Sequence, residues 1–238
     1  MNEGSGNTVQ DLSGNGNTGV FSGGTSWVTG TNGPAISVDG TNGQIIIADN
    51  PVLDGYTAMS WVLSGMMWDN TADVDSIISK YSGSNGYRSW EILRDGSDTS
   101  LLISSNGTAG ESQKFETTAY TTGTPYLDMV ITFDSGASKC YIDGKLVDTK
   151  TFATHTSIYA GLEQVEIGNG VYGFGGMELS QVYLYNRALS ASEIQELYRE
   201  PFCMVRTRRR RVIFDEIAGV PPTSSPYYYR EIASRRIA

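Results

Sequence analysis

The sequence predicts an all-β protein, two facing antiparallel sheets with one short helix near the C-terminus and an extended basic tail. Three observations predict it. The 238 residues include 28 glycines, many Ser, Thr, Asn and Tyr, and only 18% charged residues, the balance of a chain of strands and turns. Its apolar or β-branched runs are short and divided by Gly, Asn and Asp. Only one segment carries the periodicity of a helix. The length suffices for one large sandwich with a substantial core.

The elements follow in order. Ala35-Ile36-Ser37-Val38 and Gln44-Ile45-Ile46-Ile47-Ala48 are strand-like, and the Asp39-Gly40-Thr41-Asn42-Gly43 between them suits positive φ, which predicts a hairpin. Met59-Ser60-Trp61-Val62-Leu63 reads as a buried strand. Asp75 to Lys80, then Gly83-Ser84-Asn85-Gly86, then Ser89 to Leu93 repeat the strand, turn, strand pattern. Tyr126 to Phe133 supplies a strand beside Lys139 to Asp148, where Asp143-Gly144 predicts a type I′ hairpin turn, so three consecutive antiparallel strands are expected. Ser190-Ala191-Ser192-Glu193 is a capping-box pattern opening a helix of about two turns, with Ile194, Leu197 and Tyr198 as its apolar stripe.

Charge divides the chain. Residues 1–198 hold 8 Lys and Arg against 22 Asp and Glu, net −14, whereas residues 199–238 hold 9 Arg against 4 acids, net +5. Two regions are therefore expected, a sandwich over 1–198 and an arm over 199–238. An acidic body does not bind nucleic acid or anionic membrane by general electrostatics. The N-terminus lacks the basic start and apolar stretch of a secretory signal, and no run is long and apolar enough to span a bilayer, so a soluble protein without membrane insertion is expected. Cys140 and Cys203 have neither a disulfide framework nor metal-ligand spacing and read as reduced thiols.

The succession of motifs resembles the laminin-G-like jelly-roll family, of the concanavalin A-like lectin/glucanase class. The motifs are Asp11-Leu12-Ser13-Gly14-Asn15-Gly16-Asn17-Thr18-Gly19, then Ile36 to Asn42, Ser60-Trp61-Val62, Cys140 to Gly144, and a closing run from Phe174 to Ser190. Together they span about residues 5–198. The resemblance implies a jelly-roll sandwich with ligand contacts on rim loops or the concave face. It does not fix a function, because the fold hosts lectins, enzymes and adhesion modules.

Catalytic patterns are not visible. A retaining glycosidase needs two carboxylates about 5 Å apart, which on one strand means acids at alternating positions. The nearest acidic cluster, Asp69, Asp73 and Asp75, lies in an expected loop and contains no Glu. His155, the only histidine, sits between threonines with no nucleophilic partner and is expected at the surface. A non-enzyme is expected.

Two binding chemistries remain. Calcium takes oxygen ligands from turns, and Asp11, Asn15 and Asn17 supply them; the competing reading is a set of Asx-turns in a Gly-rich loop. In related jelly rolls the equivalent turn participates in a calcium site, but the acid common in the closing motif is Ser180 here, which removes a ligand. Sugar binding needs exposed aromatic faces beside planar polar groups. Trp68, Tyr87, Tyr172 and Phe174 are expected in or beside loops, with Asp69, Asn85, Arg88 and Asn169 as hydrogen-bonding partners. Core packing is the ordinary alternative for each aromatic.

Beyond Pro201 the tail carries Phe202, Arg206, Arg208, Arg209, Arg210, Arg211 and Phe214, followed by Pro221-Pro222-Thr223-Ser224-Ser225-Pro226. Such a segment buries no core of its own. It is expected to dock on protein, the apolar residues buried and the arginines on carboxylates. A sandwich with an Arg-rich ending resembles proteins encoded by tailed bacteriophages. That resemblance implies a virion structural or decoration protein, part of a larger assembly with other virion proteins as partners and surface glycan as ligand. A cellular carbohydrate-binding module, extracellular or on a cell surface, is the alternative, with a glycoside hydrolase third.

Overall fold

The computed structural model describes residues 3–30, 33–68, 74–118, 127–201 and 203. The chain divides into a compact unit reaching Val205 and a second unit, Arg206–Ala238, outside the described residues. The expected arm contacts Phe202, Arg206, Arg208 to Arg211 and Phe214 all fall outside the described residues, as does Asp69.

Two antiparallel sheets form the first unit. One sheet runs β1 (Thr8–Val9), β2 (Gly19–Ser22), β5 (Gln44–Ile47), β14 (Val165–Ile167), β7 (Val74–Tyr81), β8 (Arg88–Asp95), β9 (Asp98–Gly107) and β10 (Glu111–Phe115). The other runs β13 (Lys145–Thr151), β12 (Ala137–Ile142), β11 (Leu127–Asp134), β6 (Ala58–Trp68), β15 (Gly176–Leu179), β4 (Gly33–Asp39) and β3 (Thr25–Gly30). The eighth strand of the second sheet, β16 (Gln181–Tyr185), continues past β15 along the same side of β6. This is the jelly-roll sandwich that the motif order implies.

The core follows from strand alternation, which sends every second side chain between the sheets. Trp61 of β6 meets Trp90 of β8 edge to face, ring centroids 5.4 Å apart, both fully buried. Ile36, Ile45, Leu101, Met129, Ile131 and Phe133 pack in the same cluster. A second cluster lies on the outer face of β6, β11 and β12, where Val62, Val130 and Tyr141 are covered by Leu189 and by Ile194 and Leu197 of helix α1 (Ala191–Arg199). The Ser190–Glu193 capping box is formed. Tyr198, expected in the apolar stripe, is instead largely exposed.

The expected hairpin over 35–48 does not form. β4 pairs with β3 and β15, whereas β5 pairs with β2 and β14, so the chain crosses between sheets at residues 40–43. The Asp39 carboxylate makes that corner by accepting the N–H groups of Thr41, Asn42 and Gly43. Gly, Asn and Asp satisfy a corner as readily as a hairpin turn, and only the partners of the flanking strands decide between them. The turn at Asp143–Gly144 is the predicted type I′, with φ of 50° and 74°, and β11, β12 and β13 are the three consecutive strands.

Candidate functional site

β14, β7, β8 and β9 turn their alternate residues away from the core, and the loop 168–175 folds back across that face. Ser79 of β7 stands opposite Glu166 of β14 on one side and Glu91 of β8 on the other. Glu91 is fully buried. The Ser76 hydroxyl donates to its Oε1 at 2.5 Å and the Val171 N–H at 3.1 Å. Gly170 closes the lid, since a Cβ there would lie 2.2 Å from that oxygen. Burial pushes the Glu91 carboxyl up to about 7, against hydrogen bonds that lower it, with the Glu166 charge adding to the rise. Oε2 of Glu91 is buried without a hydrogen-bond partner.

The sequence reading missed this acid. Its only signal was a single Glu inside an apolar strand, Trp90-Glu91-Ile92, and its partners come from positions 76, 166 and 170–172. Glu91 and Glu166 are also the paired carboxylates that no linear spacing reveals, on one face with a strand between them, about 10 Å apart at the backbone. A carboxyl with no exposed atom cannot reach a glycosidic oxygen while the loop stays down. Here it holds the loop.

The predicted ligand residues divide. Tyr172, half exposed, lies on the loop beside Glu91, and its N–H helps lower that carboxyl. Tyr81 ends β7 beside the β7–β8 turn, and burial raises its hydroxyl above the ordinary value. Arg88 lies over the Tyr81 ring at 5.9 Å and donates to the carbonyls of Thr108 and Gly83, so it ties loops together. Tyr87 and Asn85 are exposed on that turn. Asn169 donates to Glu166 and Gln44, and its carbonyl accepts from Ser79. Phe174 is half-buried where the loop bridges to Ser76.

Trp68 is a correction. It ends β6 in the core, 3% exposed, with the Arg94 guanidinium 5.2 Å from its ring; alternation from Met59, Trp61 and Leu63 would point it outward, but a bulge at Gly65, φ 61°, shifts the phase so that Met66 and Trp68 face inward. Asp75, at the end of the acidic cluster, lies in the strand expected over 75–80; it is buried in β7 and pairs with Arg94 at 3.4 Å. His155 is buried, not at the surface, bonded to the Thr154 hydroxyl and the Ala109 carbonyl.

At the Asp11 turn the Asp11 carboxylate accepts the N–H and hydroxyl of Ser13 and the N–H of Asn17, and Asn50 donates to Asn17 and to the Asn15 carbonyl. Burial pushes the Asp11 carboxyl up, but these donors outweigh it and hold the group below its ordinary value. Both Asp11 oxygens therefore accept hydrogen bonds from the turn's own N–H and hydroxyl groups, as in an Asx-turn. Among the described residues no three His, Cys, Asp or Glu side chains form a metal-holding cluster.

The model of the laminin G family described as concanavalin A-like lectin/glucanases superfamily matches residues 39–195. No curated protein matches. Among solved structures, the binding domain of Paraclostridial Mosquitocidal Protein 1 superposes with a TM-score of 0.66 at 16% identity, over 81% of this chain and 49% of that one. The botulinum neurotoxin DC binding domain in complex with SialylT gives 0.59 at 16%, over 79% and 47%. The same domain in complex with rat synaptotagmin II gives 0.61 at 16%, over 81% and 50%. The chain spans about half the length of these domains, and at such identity the likeness is one of fold.

Proposed function

Because the chain belongs to the concanavalin A-like lectin/glucanases superfamily, we propose that it is a non-catalytic recognition module that binds glycan on a surface shared by loop 168–175 and the β7–β8 turn. One observation carries this reading. Tyr172 is half exposed yet set on a loop whose main chain is anchored to a buried carboxyl, and Tyr87 stands exposed on the β7–β8 turn. An aromatic face held still loses little entropy when a sugar ring stacks on it. The toxin binding domains seen with SialylT and with synaptotagmin II support surface recognition as the class of activity.

The test is a glycan array read with the full chain, followed by titration of any hit. Tyr172→Ala is expected to weaken binding at least tenfold with the melting temperature unchanged. Equal binding by Tyr172→Ala and Tyr87→Ala variants would place the ligand elsewhere. Release of reducing ends from a polysaccharide that stops in Glu91→Gln or Glu166→Gln would instead make the protein a hydrolase.

The finer proposal is display on a bacteriophage particle, anchored through residues 199–238 to other virion proteins. Its support is the charge reversal between the −14 body and the +5 tail. Calcium at the Asp11 turn is a separate proposal, supported only by the oxygen-rich composition of that turn. A melting temperature that rises with calcium and falls with chelator would establish it.

A further inference from the structure

The two long sides of the sandwich are finished differently. On one side the edge strands β10 and β13 are tied together. The Glu116 N–H donates to Asp148, the Glu111 carboxylate accepts the N–H groups of Ala153 and Thr154, and His155 reaches the Ala109 carbonyl. On the other side the first sheet ends in β1, two residues long, and the second in β3; past the end of β15, among the described residues, the strand beside β6 is β16, whose far side forms a short edge that shares a cleft with β1. β4 pairs along β15 only as far as Leu179, and among the described residues β16 pairs with β6 alone. Val182, Tyr183, Leu184 and Tyr185 are all half-buried.

Between these two edges lies a cleft of about 420 Å³. Its walls include Ile45, Met59, Ile78, Ile167, Val182 and Leu184, four of which are core residues. At its mouth stand Leu12, 61% exposed, and Asp11.

We propose that this cleft accepts an extended segment of another polypeptide, which adds as a strand to the edge of β16 and sends alternate apolar side chains inward between the sheets. The edge names the occupant. A strand edge offers a row of backbone donors and acceptors that only another strand satisfies in order, and a small apolar molecule leaves them unmet. Five residues of β16 span roughly 16 Å, room for two or three inward side chains of the incoming strand. Charge adds a second requirement. Asp11 at the mouth and the −14 body call for at least one Lys or Arg in the segment. The site is distinct from the Tyr172 surface and does not depend on glycan binding.

The experiment selects a displayed library of random nine-residue peptides on the immobilised full chain. Enriched peptides are expected to carry apolar residues at alternate positions with a Lys or Arg. They should slow amide hydrogen exchange at Val182 to Tyr185 and lose binding when alternate peptide bonds are N-methylated. Leu184→Arg should weaken them at least tenfold. Since Leu184 also packs on the core, Leu12→Trp, which fills the mouth from an exposed position, should do the same with the fold intact. Three outcomes would overturn the proposal: no enrichment, binding that Leu12→Trp leaves unchanged, or dodecanoate saturating the cleft while no peptide binds. A full chain whose self-association is lost in Leu12→Trp, with no peptide enriched, would make the cleft an interface between copies and overturn it too.

Discussion

Glu91 shows how one buried acid shapes stability. Its carboxyl, ordinarily near 4.5, is raised to about 7 in the folded chain, so the folded state binds the proton more tightly than the unfolded state. The contribution is fully favourable below the unfolded value and is lost as pH rises through the folded one. Stability is therefore expected to fall between about pH 4.5 and pH 7, by on the order of 3 kcal/mol for this group alone. Glu91→Gln should flatten that slope and stabilise the protein at pH 8. Urea unfolding at several pH values measures it, and an unchanged slope would show that the acid titrates normally. Glu111 has the opposite sign. Burial raises it, but the Ala153, Thr154 and Gln113 donors prevail and hold it at about 2, so its contribution persists above 4.5 and disappears as pH falls through 2.

At the scale of the element, helix α1 owes its existence to both ends of the argument: a local cap and a distant face. The Ser190 hydroxyl accepts the Glu193 N–H, while Glu193 accepts the Ser190 N–H and two bonds from Arg187. Ser190→Ala is expected to cost about 1 kcal/mol. Leu197→Ala, which opens the packing over Val62, Val130 and Tyr141, should cost about 2–4 kcal/mol. If thermal unfolding finds the two equal, the helix is held by its cap and its packing face matters less than its burial implies. The hairpins teach a related lesson. Asp143-Gly144 advertises its turn, but Ser135-Gly136, with φ of 50° and 95°, makes a two-residue turn between β11 and β12 without that signature.

For the whole molecule, the division after Val205 and the charge reversal make one joint prediction. A chain ending at Tyr198 should unfold in a single transition within a few degrees of the full chain, while incorporation into a particle, if residues 199–238 are its anchor, is abolished. Loss of the transition would mean that the sandwich needs those residues; retained incorporation would move the anchor elsewhere. The open side of the sandwich belongs to this scale as well, since β16 is an edge only because β4 leaves β15 at Leu179.

Local chemistry, written in the order of residues, was enough to predict much of this protein. Strand alternation, the Asp143-Gly144 turn, the capping box at Ser190 and the order of five motifs identified an all-β jelly roll. The first three depend on neighbours within a few positions, and the fourth only on the order in which such local pieces arrive. What the tertiary structure alone decided depends on strands distant in the chain. It sent β4 and β5 to different sheets, carried Trp68 into the core, buried His155 between loops, and brought Glu91 under residues 170–172 within hydrogen-bond reach of Ser76. Side-chain period says that a residue alternates faces, but which face is the interior is set by the partner strand, and that pairing is a property of the folded chain rather than of any segment of it.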